Sequence, residues 1–278
     1  MWRVQDDLSL QQHLLRHASR RLRGFLQIRV DRLIDQAVVA GSAESEGAGT
    51  RRLLVSRLGT IEYRHGWELQ RALAEMRRHD RITDVLLLLE HPHTYTLGRR
   101  GKPENILLTA AQLRRRGIGV HDVDRGGDVT YHGPGQVVGY PILKLPSDRP
   151  RFVRYILDLE RALLAVVRDM GVPGELKDGL SGVWIGDQKI CAIGVKVDAY
   201  GVTSHGFALN VNTDLSYFGH IIPCGLADKG VTSLEQQLGR RVSMRRVMDA
   251  TVHRISETFN LQPDARSVGR TRLEQLVA

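Results

Sequence analysis

Between residues 182 and 211 three strand-like runs follow one another without a helical segment between them: Gly182 to Ile185, Lys189 to Val197 and Val202 to Val211. The first two are joined through Gly186 and Asp187, which is turn chemistry. Strands linked directly, with helices between them only sometimes, predict an α+β fold with a mixed sheet covered by helices, and exclude a doubly wound nucleotide-binding sheet. The rest of the chain fits that frame. Leu53 to Leu58, the aliphatic Asp84 to Glu90, Val120 to Val123 and Gln136 to Leu143 read as further strands. Helices are expected over Glu62 to Arg78, with Trp67, Leu69, Leu73 and Met76 inward, and over Ala110 to Arg116. Phe152 to Met170 is expected to bury Val153, Ile156, Leu157, Leu163, Leu164 and Val167. Ser233 to Leu238 and Met244 to Phe259 complete the set.

Charge and cysteine content narrow the function classes. The 278 residues carry a net charge of +9 and only two cysteines, too few for a disulfide framework or a four-thiolate zinc site, so a reducing cytoplasm is expected. The longest aliphatic run, Val85 to Leu89, is strand length, and neither a membrane span nor a secretory signal is expected. Basic runs such as Arg114 to Arg116 and Arg240-Arg241 lack the interleaved aromatics of a nucleic-acid site, because aromatic residues make up 5% of the chain. The polar, glycine-containing stretch Gly41 to Gly49 reads as a linker, dividing a poorly ordered extension (1–50) from a catalytic domain (51–265) and a basic tail (266–278).

Two segments concentrate chemistry. Arg125 to Gly135 gathers four glycines, one proline and several polar side chains; its glycines let backbone N–H groups approach a ligand, and Arg125, Thr130, Tyr131 and His132 between them point to a ligand site. It is neither a Walker loop nor a dinucleotide fingerprint. In Ile222-Pro-Cys-Gly225 a thiol stands between a rigid and a permissive residue, and the N–H of Gly225 is positioned to serve an acyl oxygen beside the sulfur. Cys224 is therefore the candidate nucleophile, whereas Cys191 lies in an apolar strand and reads as core. A thiol needs a base or cation nearby to act at neutral pH; His132, His205, Lys189 and Lys196 are the candidates. Alternation places Lys189, Cys191, Ile193 and Val195 on one strand face. His91 and His93 form a His-x-His pair without acidic or thiolate partners, and no metal is expected.

With these residues the chain resembles the octanoyl-[acyl-carrier-protein]:protein octanoyltransferases of lipoate biosynthesis, from about Leu53 to about Asn260. The resemblance rests on Arg125 to Gln136, Gly139-Tyr-Pro141, Lys189-Ile-Cys-Ala-Ile-Gly194, Ser204 to Asn212 and Pro223-Cys-Gly225, in the family's order. It implies a catalytic domain like those of biotin and lipoyl protein ligases and a Cys/Lys dyad of Cys224 and Lys189. It also implies substrate contacts at Arg125, Gly126, Gly127, Asp128, Val129, Thr130, Tyr131 and His132, at Ala192, Ile193 and Gly194, and at Gly206, Phe207 and Ala208. His91, Tyr140 and His205 are further pocket candidates.

By the same resemblance the activity would be acyl transfer without a cofactor, from octanoyl-acyl carrier protein through a Cys224 thioester to a lysine on lipoyl domains. The acceptors would be the lipoyl domains of 2-oxoacid dehydrogenases and the glycine cleavage H protein, and the protein would act as a cytoplasmic monomer. The alternatives on this fold are an ATP-dependent lipoate or biotin protein ligase, which would not use a loop thiol, and an amidotransferase between lipoyl domains.

Overall fold

The computed structural model describes residues 50–146, 151–222, 229–264 and 268–277. The extension and linker, and the thiol Cys224, therefore lie outside the described residues. The chain divides into a unit of Gly47–Arg270 and a second unit that includes Thr271–Ala278; the final helix, Arg270–Val277, falls almost wholly in the latter.

The main unit is built on nine hydrogen-bonded strands among the described residues. In chain order they are β1 (Arg51–Thr60), β2 (Asp84–Glu90), β6 (Gln136–Ile142), β7 (Glu175–Lys177), β8 (Leu180–Ile185), β9 (Gln188–Val197), β10 (Thr203–Asn210), β11 (Gly230–Val231) and β12 (Leu261–Pro263). Across the sheet the order is β12-β1-β2-β6-β10-β9-β8-β7, with β11 paired to β9. The β12-β1-β2 pairs are parallel and the pairs from β2 to β7 antiparallel, so the sheet is mixed, as the directly joined strands required. β2 is central and buried, which is why it reads as an unbroken aliphatic run.

Helices α1 (Tyr63–Arg78), α3 (Arg151–Asp169) and α5 (Met244–Thr258) cover the sheet; of two shorter ones, α4 (Leu234–Leu238) buries Leu234 in the principal core and α2 (Ala110–Arg115) packs Leu113 against a second, smaller core. The principal core joins Leu53, Leu86, Leu88, Val137 and Leu209 to Leu159, Leu163, Val166, Val247 and Ile255. The expected stripe on α3 is corrected here. Leu163 and Val167 are fully buried and Ile156 and Leu164 pack against the core as expected, but Val153 and Leu157 are 55% and 43% exposed, and Tyr155, Leu159, Ala162 and Val166 are buried as well. Apolar residues occupy more than one face of this helix, and only docking selects the face that is covered. Trp67 and Met76 on α1 are likewise only half-buried.

A second sheet was missed by sequence reading. β3 (Thr94–Leu97) pairs with β4 (Gly119–Asp122) and with β5 (Val129–His132), so part of the glycine-rich segment is a strand. Tyr95, Leu97, Val129, Tyr131 and Ile221 form its own small core. No helix among the described residues is long and apolar enough to cross a membrane.

Candidate functional site

A cavity of about 250 Å³ is lined by β5 of the small sheet and by β6, β8, β9 and β10 of the large one. Its lining includes Lys189, Ala192, Ile193 and Gly194 from β9, and His205, Gly206, Phe207 and Ala208 from β10. Arg125, Gly127, Asp128, Val129, Thr130 and His132 line it from the glycine-rich segment, and Tyr140 from β6. Four of the sequence candidates lie elsewhere: Lys196, which pairs with Asp124, and three more. Gly126 donates its N–H to Val195 O at 3.1 Å. Tyr131, alternate to Thr130 on β5, turns into the small core, where its hydroxyl meets His93 Nδ1 at 2.7 Å. His91 is fully buried behind the wall.

Lys189 is set into the wall by a bulge. Val183 pairs with Cys191 while Trp184 pairs with Lys189, which leaves Ile190 as the extra residue. The expected alternation is thereby corrected: Ile190 and Cys191 are both fully buried, and Lys189 lines the cavity. Gly182 makes the bulge possible, because it sits at φ 109 and any Cβ there would collide with the Cys191 carbonyl. Its N–H donates to Glu160 Oε1 at 2.8 Å, drawing a carboxylate of α3 beneath the lysine.

The electrostatics of this corner follow from burial. Burial lowers the Lys189 pKa, opposed by Cys191 and Glu160 nearby, and its ammonium lies 4.7 Å from the Trp184 ring centroid. The Glu160 carboxyl is raised by burial. Burial also pushes the Cys191 thiol well above the ordinary range, leaving it an inert core residue.

A hydrogen-bonded chain ties the two sheets together. Arg125 Nη2 donates to Thr96 Oγ1 at 2.9 Å and to the carbonyls of Thr96 and Asp128 at 2.8 and 2.7 Å. Thr96 Oγ1 lies 3.4 Å from His132 Nε2, and His132 Nδ1 donates to Gln136 Oε1 at 2.9 Å. Gln136 Nε2 donates to Asn210 Oδ1 at 2.9 Å, and Asn210 Nδ2 to Thr232 O at 3.0 Å. Thr232 N closes the line on Lys189 O at 3.0 Å. Burial drops the His132 pKa to about 3 and that of His91 to about 4, so both rings are neutral. His91 donates from Nδ1 to Ile61 O and accepts at Nε2 from the Tyr140 hydroxyl, each at 2.7 Å.

Several contributors carried no signal strong enough to single them out in the sequence. Asp124 directly precedes the glycine-rich segment, yet its pairing with His205 Nε2 at 2.7 Å and with Lys196 depends on strand register. Those two partners hold its carboxyl far below the usual range. Trp184 and Glu160 read as ordinary strand and helix residues, and Gln136 and Asn210 lie inside the motifs of the resemblance without being site candidates.

The chain matches the lipoyl protein ligase A/B catalytic domain over residues 62–256. It is 50% identical over 215 residues to an octanoyltransferase of Chloroflexus aggregans, covering 77% of this chain and 97% of that one. An octanoyltransferase of Roseiflexus is 47% identical, covering 77% and 90%. In fold the chain is similar to a bipartite lipoate protein ligase of Thermoplasma acidophilum, with a TM-score of 0.60, 17% identity and coverage of 82% and 90%. It is similar also to a lipoate-protein ligase A solved with ATP, with a TM-score of 0.58, 17% identity and coverage of 82% and 93%.

Proposed function

Because the chain belongs to the octanoyltransferases with a lipoyl protein ligase A/B catalytic domain, we propose that it moves an octanoyl group from octanoyl-acyl carrier protein to a lysine of lipoyl domains by way of a thioester on Cys224. The observation that carries this reading is the placement of Lys189 in the wall of a cavity whose remaining walls are largely apolar, among them Trp184, Ile193, Phe207 and Val138. Ile221, Lys229 and Val231, which bracket the segment containing Cys224, line the same cavity.

In the first step the Cys224 thiolate attacks the thioester carbonyl of the donor. The new C–S bond forms, the old one breaks, and the carrier thiol leaves with a proton. In the second, the neutral ε-amine of the acceptor lysine attacks; the C–N bond forms, the C–S bond breaks and the amine proton returns to the active-site thiolate or its base. Thioester exchange is nearly isoenergetic and amide formation is downhill, so the chemistry needs no ATP. Lys189, its pKa lowered by burial, takes the thiol proton as a neutral amine or stands as an ammonium beside the thiolate. The apolar walls hold the acyl tail, and burying its six methylenes contributes about 5 kcal/mol at ~0.8 kcal/mol each.

The donor and acceptors are acidic in the general case, and a net charge of +9 steers them to the enzyme. Lipoyl domains of 2-oxoacid dehydrogenases and the glycine cleavage H protein are the acceptors assigned here, in the cytoplasm. Intact mass after mixing with octanoyl-acyl carrier protein tests the reading. One octanoyl group should appear, be discharged by an apo-lipoyl domain, persist with Cys191→Ser and vanish with Cys224→Ser. Modification that requires ATP and free octanoate would make the protein a ligase instead.

A further inference from the structure

Glu160 is a carboxylate set into the hydrophobic core. It stands on α3 beside Leu159, Leu163 and Leu164, which pack in that core, and it is 7% exposed. Burying a carboxylate is costly unless hydrogen bonds and an opposite charge offset the loss of water. The backbone supplies one bond, from the Gly182 N–H to Oε1 at 2.8 Å. Among the described residues no other hydrogen bond and no ion pair reaches the carboxylate. A glutamine would accept the Gly182 bond equally well, so the bond alone does not call for a charge.

The charge that answers it is Lys189. Gly182 touches both groups: its N–H holds the carboxylate, and a Cβ on its other side would stand 3.6 Å from Lys189 Cδ. With the ~2.5 Å between N and Cβ included, these contacts put Lys189 Cδ within about 9 Å of Glu160 Oε1. The remaining groups around Lys189 are neutral or engaged. On its own strand it meets the Cys191 thiol, and on β8 the Trp184 ring at 4.7 Å. On β11 it pairs with Val231. Lys177 and Lys229 are both bonded to Asp187, at 3.0 and 2.6 Å, and Glu175 lies 3.6 Å from Lys177. Asp178, in the turn from β7 to β8, is exposed, and on α3 Arg161 turns to Asp158 at 3.1 Å. Among the described residues Lys189 is the cation whose field acts on Glu160, and Glu160 is the carboxylate whose field acts on Lys189.

We propose that Glu160 is a positioning residue for acyl transfer, a buried carboxylate that acts across Gly182 to hold Lys189 as an ammonium. The proposal rests on the reading that Lys189 serves the Cys224 thiol, and of the two roles open to the lysine it selects the ammonium beside a thiolate. Its test is an NMR titration of the full chain carrying 13C at lysine Cε and glutamate Cδ, beside the pH profile of kcat/KM for transfer from octanoyl-acyl carrier protein. Glu160→Gln keeps the acceptor for the Gly182 N–H and removes only the charge. The Lys189 midpoint should then fall by about one pH unit, and the alkaline limb of transfer with it. Lys189→Met should raise the Glu160 midpoint by the same amount, because coupling between two sites is reciprocal. This second titration decides the matter if Glu160→Gln does not fold. A midpoint that stays put in either variant overturns the proposal and leaves Glu160 as a structural acceptor for Gly182. Coupled midpoints with an unmoved alkaline limb overturn its part in transfer. Coupled midpoints in a protein that transfers no octanoyl group keep the charge pair and remove the transferase reading instead.

Discussion

Asn105 and Asp128 are joined side chain to side chain: Asn105 Nδ2 lies 3.0 Å from Asp128 Oδ2 and 3.2 Å from Oδ1. The Asn105 carbonyl in turn accepts the N–H of Ile222 at 2.8 Å, and Ile106 bridges Ile221. The glycine-rich segment is thereby tied to the residues that lead into Pro223-Cys-Gly225. Asn105→Ala leaves a buried carboxylate short of a donor, a loss of about 1 to 3 kcal/mol for a hydrogen bond to a charged group. The expected outcome is a lower midpoint in urea and a kcat reduced roughly tenfold, with KM for the acyl donor changed far less. An unchanged kcat would separate Asp128 from the chemistry.

Lys189 should act on the thiol and not on substrate affinity. Lys189→Met keeps an unbranched side chain of similar length but removes the amine and with it the cation–π contact with Trp184. The alkylation rate of Cys224 by iodoacetamide, measured against pH in a Cys191→Ser background, should then midpoint nearer the ordinary thiol value of about 8.5. Transfer should fall by a hundredfold or more.

Acid should destabilise the fold early. His91 and His132 have folded pKa values of about 4 and about 3 against an unfolded value near 6.5, so below 6.5 the unfolded chain binds two protons that the folded chain refuses. Stability is full above pH 6.5 and falls as pH drops toward the folded values, with a slope of about 2.7 kcal/mol per pH unit for the pair. Urea unfolding at pH 7, 6 and 5 should show this slope. His91→Gln should flatten it by about half, whatever the variant costs at pH 7.

Chain-length choice should respond to Gly139. A Cβ at this position would run into the ring of Phe207, a wall of the cavity. Gly139→Ala should displace the ring into the slot and shift preference from octanoyl toward hexanoyl. One methylene in such a pocket is worth about 1 to 3 kcal/mol, so the kcat/KM ratio of the two donors should move by at least tenfold. A ratio that stays put would mean that the ring moves elsewhere.

Local chemistry in the chain determined much of this protein. The unbroken aliphatic β2, the turn at Gly186-Asp187 and the directly joined strands from Gly182 to Val211 specify a mixed sheet, because periodicity and turn residues act over a few positions. The cluster from Arg125 to His132 stands out for the same reason, unusual residues close together in the chain, whereas Lys189 is one of four candidate partners of a thiol and only the family resemblance singles it out. Relationships over long separations were decided by the tertiary structure alone. Thr96 reaches His132 only because β3 pairs with β5, and Asp124 finds His205 only through the register of β9 and β10. The bulge that buries Ile190 and Cys191 together and turns Lys189 to the cavity depends on Gly182 of the neighbouring strand. Strand register and helix docking are set by which surfaces bury one another, a property of the assembled core that no short stretch of sequence contains.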